Sequence, residues 1–180
     1  MYIGLLHTHN LFRWLVFIAL ILALIFSIIG WAGNKSWTKR NRIAGLALTI
    51  SMDIQFLLGL VLYAFVSPLT KAAFADFGAA MKNSELRFYA VEHILLMLIA
   101  LIFVHIGWSK AKNATESRKK HRAATIWFGS AFLLVIAGIP WDRALIWKLA
   151  GKLSLFGCFL QIILLFELYK ALWLLFFPAE

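Results

Sequence analysis

The sequence predicts an all-α integral membrane protein, a bundle of four to five transmembrane helices, and three observations carry that reading. Hydrophobic residues make up 63% of the chain and charged residues only 14%, with a mean hydropathy of +0.85, far from the even mixture of soluble domains. Five apolar segments are long enough to cross a bilayer, at about Leu11–Trp31, Ile43–Val66, Phe88–Trp108, Ala123–Ile139 and Leu153–Phe177. Lysines and arginines gather in the connections between them.

The first segment has no basic stretch ahead of it, only Arg13, so it reads as a retained span and not a cleaved leader. The connection from Ser67 to Arg87 is the longest, and its alanine-rich stretch Lys71–Met81 suits a short surface helix. Pro140–Lys152, opened by a proline, reads as an interfacial amphipathic helix. If the last segment is interfacial as well, the bundle has four spans. No internal repeat is visible, and single-domain length leaves no room for a soluble domain.

The net charge of +10 would suggest nucleic acid in a soluble protein, but here membrane orientation explains it. Lys35, Lys39, Arg40 and Arg42 follow the first segment, and Lys110, Lys112, Arg118, Lys119, Lys120 and Arg122 follow the third. These ten face six in the alternate connections: Lys71, Lys82, Arg87, Arg143, Lys148 and Lys152. The richer pair is expected in the cytoplasm of a bacterial inner membrane, with the N-terminus outside. Trp14, Trp31, Trp108, Trp127, Trp141 and Trp173 fall near segment ends, as an aromatic belt requires. Cys158 is the only cysteine, which excludes an intrachain disulfide and covalent haem attachment through Cys-x-x-Cys-His.

Histidines are the sharpest chemical lead. His7, His9, His93 and His105 fall just before or inside apolar segments, where an ionisable group is costly and points to function. Paired histidines on neighbouring helices suggest a b-type haem or a metal. His7 and His9 lie at the outer end of the first span, and His93 lies on the order of 8 Å deep from the same side. His9 or His7 with His93 is therefore the expected axial pair. If Arg13 marks the membrane surface, His9 is too shallow; a buried Arg13, answering Glu92 or a haem propionate, suits the pairing better. His105 follows His93 by roughly 18 Å along the axis and about 120° around it. Its only histidine neighbour in depth is His121, among basic residues, so a second haem competes with the plainer reading of His105 as a polar residue bonded to a loop carbonyl.

Asp53 lies near the middle of the second span, where a carboxylate must be protonated or paired. Thr49 and Phe56 share its face, and Gln55 lies alongside. Asp53, Gln55 and Glu92 are the candidates for a polar seam that moves protons or holds a quinone headgroup, against a purely structural interhelical bond. Glu92 is expected about 100° around the helix from His93. Glu167 and Lys170 are spaced to neutralise one another. Signatures of acyl, phosphoryl or glycosyl transfer are absent, as is a glycine-rich phosphate loop.

The stretches Leu6–Trp14 (LHTHNLFRW), Asp53–Tyr63 (DIQFLLGLVLY) with Ser67-Pro68, Arg87–His93 (RFYAVEH), His105-Ile106-Gly107 and Gly138–Trp141 (GIPW) resemble a group of small bacterial membrane proteins, common in Bacteroidetes, that are labelled cytochrome b-like. The resemblance covers roughly residues 2 to 141. It implies a four-helix haem-binding bundle in which His9 and His93 are the ligands to carry over, with His7 and His105 behind them. Members typically end soon after the Ile-Pro-Trp stretch, whereas this chain continues into a further apolar segment that suits a docking surface. The combined expectation is a b-type haem protein passing electrons between quinol and a partner redox protein, with other membrane redox subunits or a second copy as neighbours. The alternatives are a haem-free accessory subunit of a larger complex and a metal-binding or proton-conducting protein centred on Asp53.

Overall fold

The computed structural model describes residues 2–140, and among them every regular element is helical. The fifth apolar segment, the stretch after Pro140 with Trp141, Trp173 and Cys158, and the Glu167–Lys170 pair lie outside the described residues. Four helices are long and apolar enough to cross a membrane, spanning Tyr2–Ala32, Lys39–Val66, Ser84–Asn113 and Ser117–Gly138. The protein is a multi-pass, all-α membrane bundle.

Helix α1 (Tyr2–Ala32) starts well before Leu11, so His7 and His9 lie within it and not ahead of it. The reason is Arg13: it is taken into the bundle, only 8% exposed, instead of marking the surface. Asn34 ends the helix in the left-handed region at φ 48°, a conformation asparagine tolerates, and the Lys35 N–H reaches back to the Gly30 carbonyl at 3.0 Å. Helix α2 (Lys39–Val61) begins after Thr38, whose N–H donates to Asn41 Oδ1 at 3.1 Å. It runs into one π-helical turn, Leu62–Val66.

The long connection folds into three short helices, α3 (Pro68–Ala75), α4 (Phe77–Lys82) and α5 (Ser84–Arg87). The single surface helix expected over Lys71–Met81 is thus broken. Asp76 breaks it by leaving helical conformation and turning its carboxylate onto the Ala79 N–H at 2.9 Å, which starts a new helix. Asn83 caps α5 in the same way. A second π turn, Phe88–Glu92, leads into α6 (His93–Asn113), and α7 (Ser117–Gly138) completes the bundle.

Packing runs in a ring: α1 meets α2 and α7, and α6 meets α7 and α2. Helices α1 and α6 therefore face each other diagonally across the bundle axis. The core is built from Val16, Leu20, Leu48, Val104, Phe128 and small residues such as Ala100, Ala124 and Ala131. Small side chains matter because lipid tails are as apolar as leucine, so helices associate through close packing. The α6–α7 seam is the most intimate. There a Cβ added at Gly107 would lie 2.7 Å from Trp127 Cβ and 3.0 Å from Phe128 Cε1. Because Trp127 Cβ cannot move without its backbone, Gly107→Val is expected to destabilise the bundle by about 1–3 kcal/mol, read as a lower melting temperature in detergent, with Gly107→Ala costing less.

The two basic connections share one end of the bundle, where the Trp37 N–H donates to Ser117 Oγ at 3.0 Å. His121 is buried there, its ring 4.8 Å from Trp37 and lying over Gly30. Helices α3 to α5 join the opposite ends of α2 and α6.

Candidate cofactor-binding site

At the α3–α5 end of the bundle, His9 on α1 and His93 on α6 meet across the axis. Their ring centres are 6.5 Å apart and their planes cross at 74°. Local structure explains why each ring points inward.

His93 is the first residue of α6, directly after the π turn, and its N–H bonds the Phe88 carbonyl five residues back. Such a turn inserts one residue into the helical register and rotates the rest of the helix by about 100° relative to a regular α-helix. The same winding brings Arg87 and Glu92 together, Nε to Oε1 at 2.7 Å, although a five-residue spacing would separate them on an α-helix. Glu92 is therefore committed to Arg87 and does not answer Arg13. The turn is tied to its counterpart on α2: the Tyr63 hydroxyl donates to the Ala90 carbonyl at 2.8 Å, and the Tyr63 carbonyl accepts from Thr70 Oγ1 at 2.8 Å. Carbonyls that leave the α-helical pattern are thus supplied with hydroxyl donors, as an apolar surrounding demands.

His93 is oriented by the end of α7. Pro140 has no N–H and holds Ile139 extended at φ −75°, ψ 126°, so α7 stops and its last carbonyls have no helical donor. The Gly138 carbonyl accepts from His93 Nδ1–H at 2.7 Å. A carbonyl only accepts, so the proton is on Nδ1, and Nε2 of the neutral ring carries the lone pair. Phe88 and Tyr89 flank the ring, with centres at 5.8 Å and 6.3 Å.

His9 is set by α2. Gln55 Nε2 donates to the His9 carbonyl at 3.0 Å and lies 3.3 Å from His9 Nε2, while His9 Nδ1 is buried with no hydrogen-bond partner. The ring lies against bare backbone at Gly59, where an added Cβ would come 3.0 Å from His9 Cε1. One turn further along α1 comes Arg13, buried with Nε and Nη2 unbonded, and beside it Trp14 with a buried, unbonded Nε1. No carboxylate lies within salt-bridge distance of Arg13 among the described residues. A guanidinium so placed is costly unless an anion answers it. Gln55 Oε1 is likewise buried and unbonded. Several polar atoms around two facing imidazoles thus lack protein partners.

The other candidates fall elsewhere. His7 is on the exposed side of α1. His105 Nε2 lies 2.7 Å from Asp53 Oδ1, not against a loop carbonyl, and it takes no part with His121. Asp53, Gln55 and Glu92 do not form one seam: each has its own partner, His105, His9 and Arg87 respectively. Asp53 and Gln55, two residues apart on a helix, point about 200° apart, which is the physical reason. Among the described residues no three histidine, cysteine, aspartate or glutamate side chains converge on a metal-sized site, so His9 and His93 come as a pair.

No protein-family model, no curated protein and no solved structure matches this chain.

Proposed function

We propose that the protein is a b-type haem protein of the bacterial cytoplasmic membrane, holding one haem between His9 and His93 and passing electrons between quinol and a partner redox protein. The observation that carries this reading is the facing pair of imidazoles 6.5 Å apart across the bundle axis. Two metal–nitrogen bonds of about 2 Å each, with each ring centre roughly 1 Å beyond its nitrogen, put the centres of an axial pair about 6 Å apart. A bare ion held by two histidines would be short of ligands, whereas a porphyrin brings its own four nitrogens. Haem, when bound, supplies one-electron transfer at a potential tuned by its axial ligands and their surroundings.

The chain's own groups support the same ligand. His93 has one ring N–H engaged by the Gly138 carbonyl, as ligating histidines do when a second partner fixes the ring, and at His9 the Gln55 amide holds the backbone carbonyl and lies beside Nε2. Arg13 and Trp14 offer unanswered N–H donors to a carboxylate such as a propionate. Phe88 and Tyr89 provide an aromatic wall beside His93.

The test is the absorption spectrum of the purified protein, oxidised against dithionite-reduced. Sharp reduced bands of a six-coordinate, low-spin b-type haem are expected. Their absence from protein expressed with ample haem would overturn the reading.

Orientation belongs to the same proposal: the basic connections face the cytoplasm, and the His9–His93 end faces outward. In a Cys158→Ser background, cysteines at Ser36 and Lys112 should resist a membrane-impermeant thiol reagent applied to intact cells. Ready labelling of both would invert the topology.

A further inference from the structure

Asp53 and His105 stand apart from the histidine pair. Asp53 lies about midway along the span Lys39–Val66, and His105 lies within α6 eight residues before its end at Asn113. Both are inside the apolar thickness. His105 Nε2 and Asp53 Oδ1, 2.7 Å apart, bridge α2 and α6, and the two side chains keep 48% and 42% of their surface open. The pair therefore looks out of the bundle, towards lipid.

Its surroundings are apolar and equally open. Ile50 and Leu57 lie three and four residues from Asp53 on α2, and Leu98 and Ile102 lie seven and three residues before His105 on α6, so they share its face. The α2–α6 seam is also the slightest of the four in the ring. Hydrocarbon offers neither donor nor acceptor. Only Oδ1 of the carboxylate is used in the bond to His105, which leaves Oδ2 without a donor in a medium that cannot provide one.

We propose that this lipid-facing seam is a binding site for a lipid-soluble molecule carrying a ring hydroxyl on an apolar body, the hydroquinone class, with Asp53 as its polar contact and His105 positioning the carboxylate. The approach is from the bilayer, which selects a ligand that partitions into lipid. A hydroxyl can donate to Asp53 Oδ2, while His105, whose Nε2 is engaged by Oδ1, holds the carboxylate in place. A fatty acid would set its carboxylate against Asp53, and a phospholipid headgroup belongs at the interface, not at this depth. The choice of a hydroquinone over another lipid alcohol rests on the electron-carrier reading; the site itself rests on the pair and the open apolar side chains around it.

The experiment uses the full chain in lipid nanodiscs, titrated calorimetrically with a decyl-substituted hydroquinone and, separately, with decanol. Saturable binding of the hydroquinone is expected, with decanol binding at least about tenfold more weakly. Asp53→Asn and His105→Leu should each weaken hydroquinone binding by about tenfold or more, the effect of one lost charged or buried hydrogen bond. Leu133→Ala, an exposed apolar position on α7, should leave it unchanged. Asp53→Asn keeps the size and one acceptor oxygen for His105 but replaces the second oxygen with an amide donor, so it separates lost binding from lost folding. No saturable binding by the wild type, equal affinity in both site variants, or decanol binding as tightly as the hydroquinone would each overturn the proposal. The haem spectrum is recorded on the same samples: a haem-free protein that binds the hydroquinone overturns the cofactor reading alone, and a haem-loaded one that does not overturns the Asp53–His105 site alone.

Discussion

Replacing His93 with alanine is expected to abolish the reduced b-type bands while the protein still inserts and folds. The ring is the better fixed of the two imidazoles, because the π turn sets its direction and the Gly138 carbonyl sets its tautomer. Without it the iron keeps one axial nitrogen and loses its low-spin character. Alteration of groups that merely orient a ligand typically costs 10–100-fold in metal affinity, so removal of the ligand should lower haem content by at least about a hundredfold. Insertion survives because alanine removes a polar group from an apolar span. Free imidazole added to haem-reconstituted His93→Ala protein should restore the low-spin spectrum, because the space vacated is that of an imidazole. An unchanged reduced-minus-oxidised spectrum in the variant would place the haem at residues other than this pair.

Arg13→Leu should act in opposite directions on the two forms of the protein. Without haem, the buried guanidinium has two unbonded nitrogens and no carboxylate nearby, so it is a cost to the fold. An arginine at membrane depth costs about 2.5–3.5 kcal/mol on insertion scales, and replacing it with leucine should stabilise the apo-protein by a sizeable part of that. With haem, the same side chain is expected to hold a propionate through charge-assisted hydrogen bonds worth about 1.5–3 kcal/mol. The variant should therefore retain haem at least about tenfold less tightly. Unfolding of apo-protein in detergent and haem transfer to an acceptor protein measure the two effects. A variant that is less stable without haem and equally retentive with it would mean that protein groups alone answer Arg13.

Fold class was legible in the sequence because it depends on apolar length and on where lysine and arginine gather, and neither needs tertiary detail. The pairing of His9 with His93 was legible in outline, since both lie towards the same end of their helices. What hid the rest was geometry that departs from a regular helix. The 3.6-residue period gives no sign of the π turn at Phe88–Glu92, so it could not show that Glu92 turns to Arg87 or how His93 enters the axis. The role of Gly138 was signalled by the proline two residues later, which strands a carbonyl at the end of α7, but only the fold shows that His93 lies beneath it. A polar seam that joins Asp53 to Gln55 requires that nearness in sequence mean a shared face. Asp53 instead finds His105 on the opposite side of the helix from Gln55, an assignment that depends on how α6 docks against α2. Arg13 resembles a surface marker because a cation usually is one; here the helix begins eleven residues before it.

Shared ligation of one haem by His9 and His93 is tested by titrating haem-free protein with haemin, followed by absorption and by electron paramagnetic resonance of the ferric form. Saturation at one haemin per chain and a low-spin ferric signal of strongly axial type are expected, because imidazole planes crossing near 74° would leave the two iron orbitals that interact with them nearly equivalent. Single His9→Ala and His93→Ala proteins should each lose the low-spin signal. Non-saturating uptake, or a low-spin signal that survives both substitutions, would contradict it.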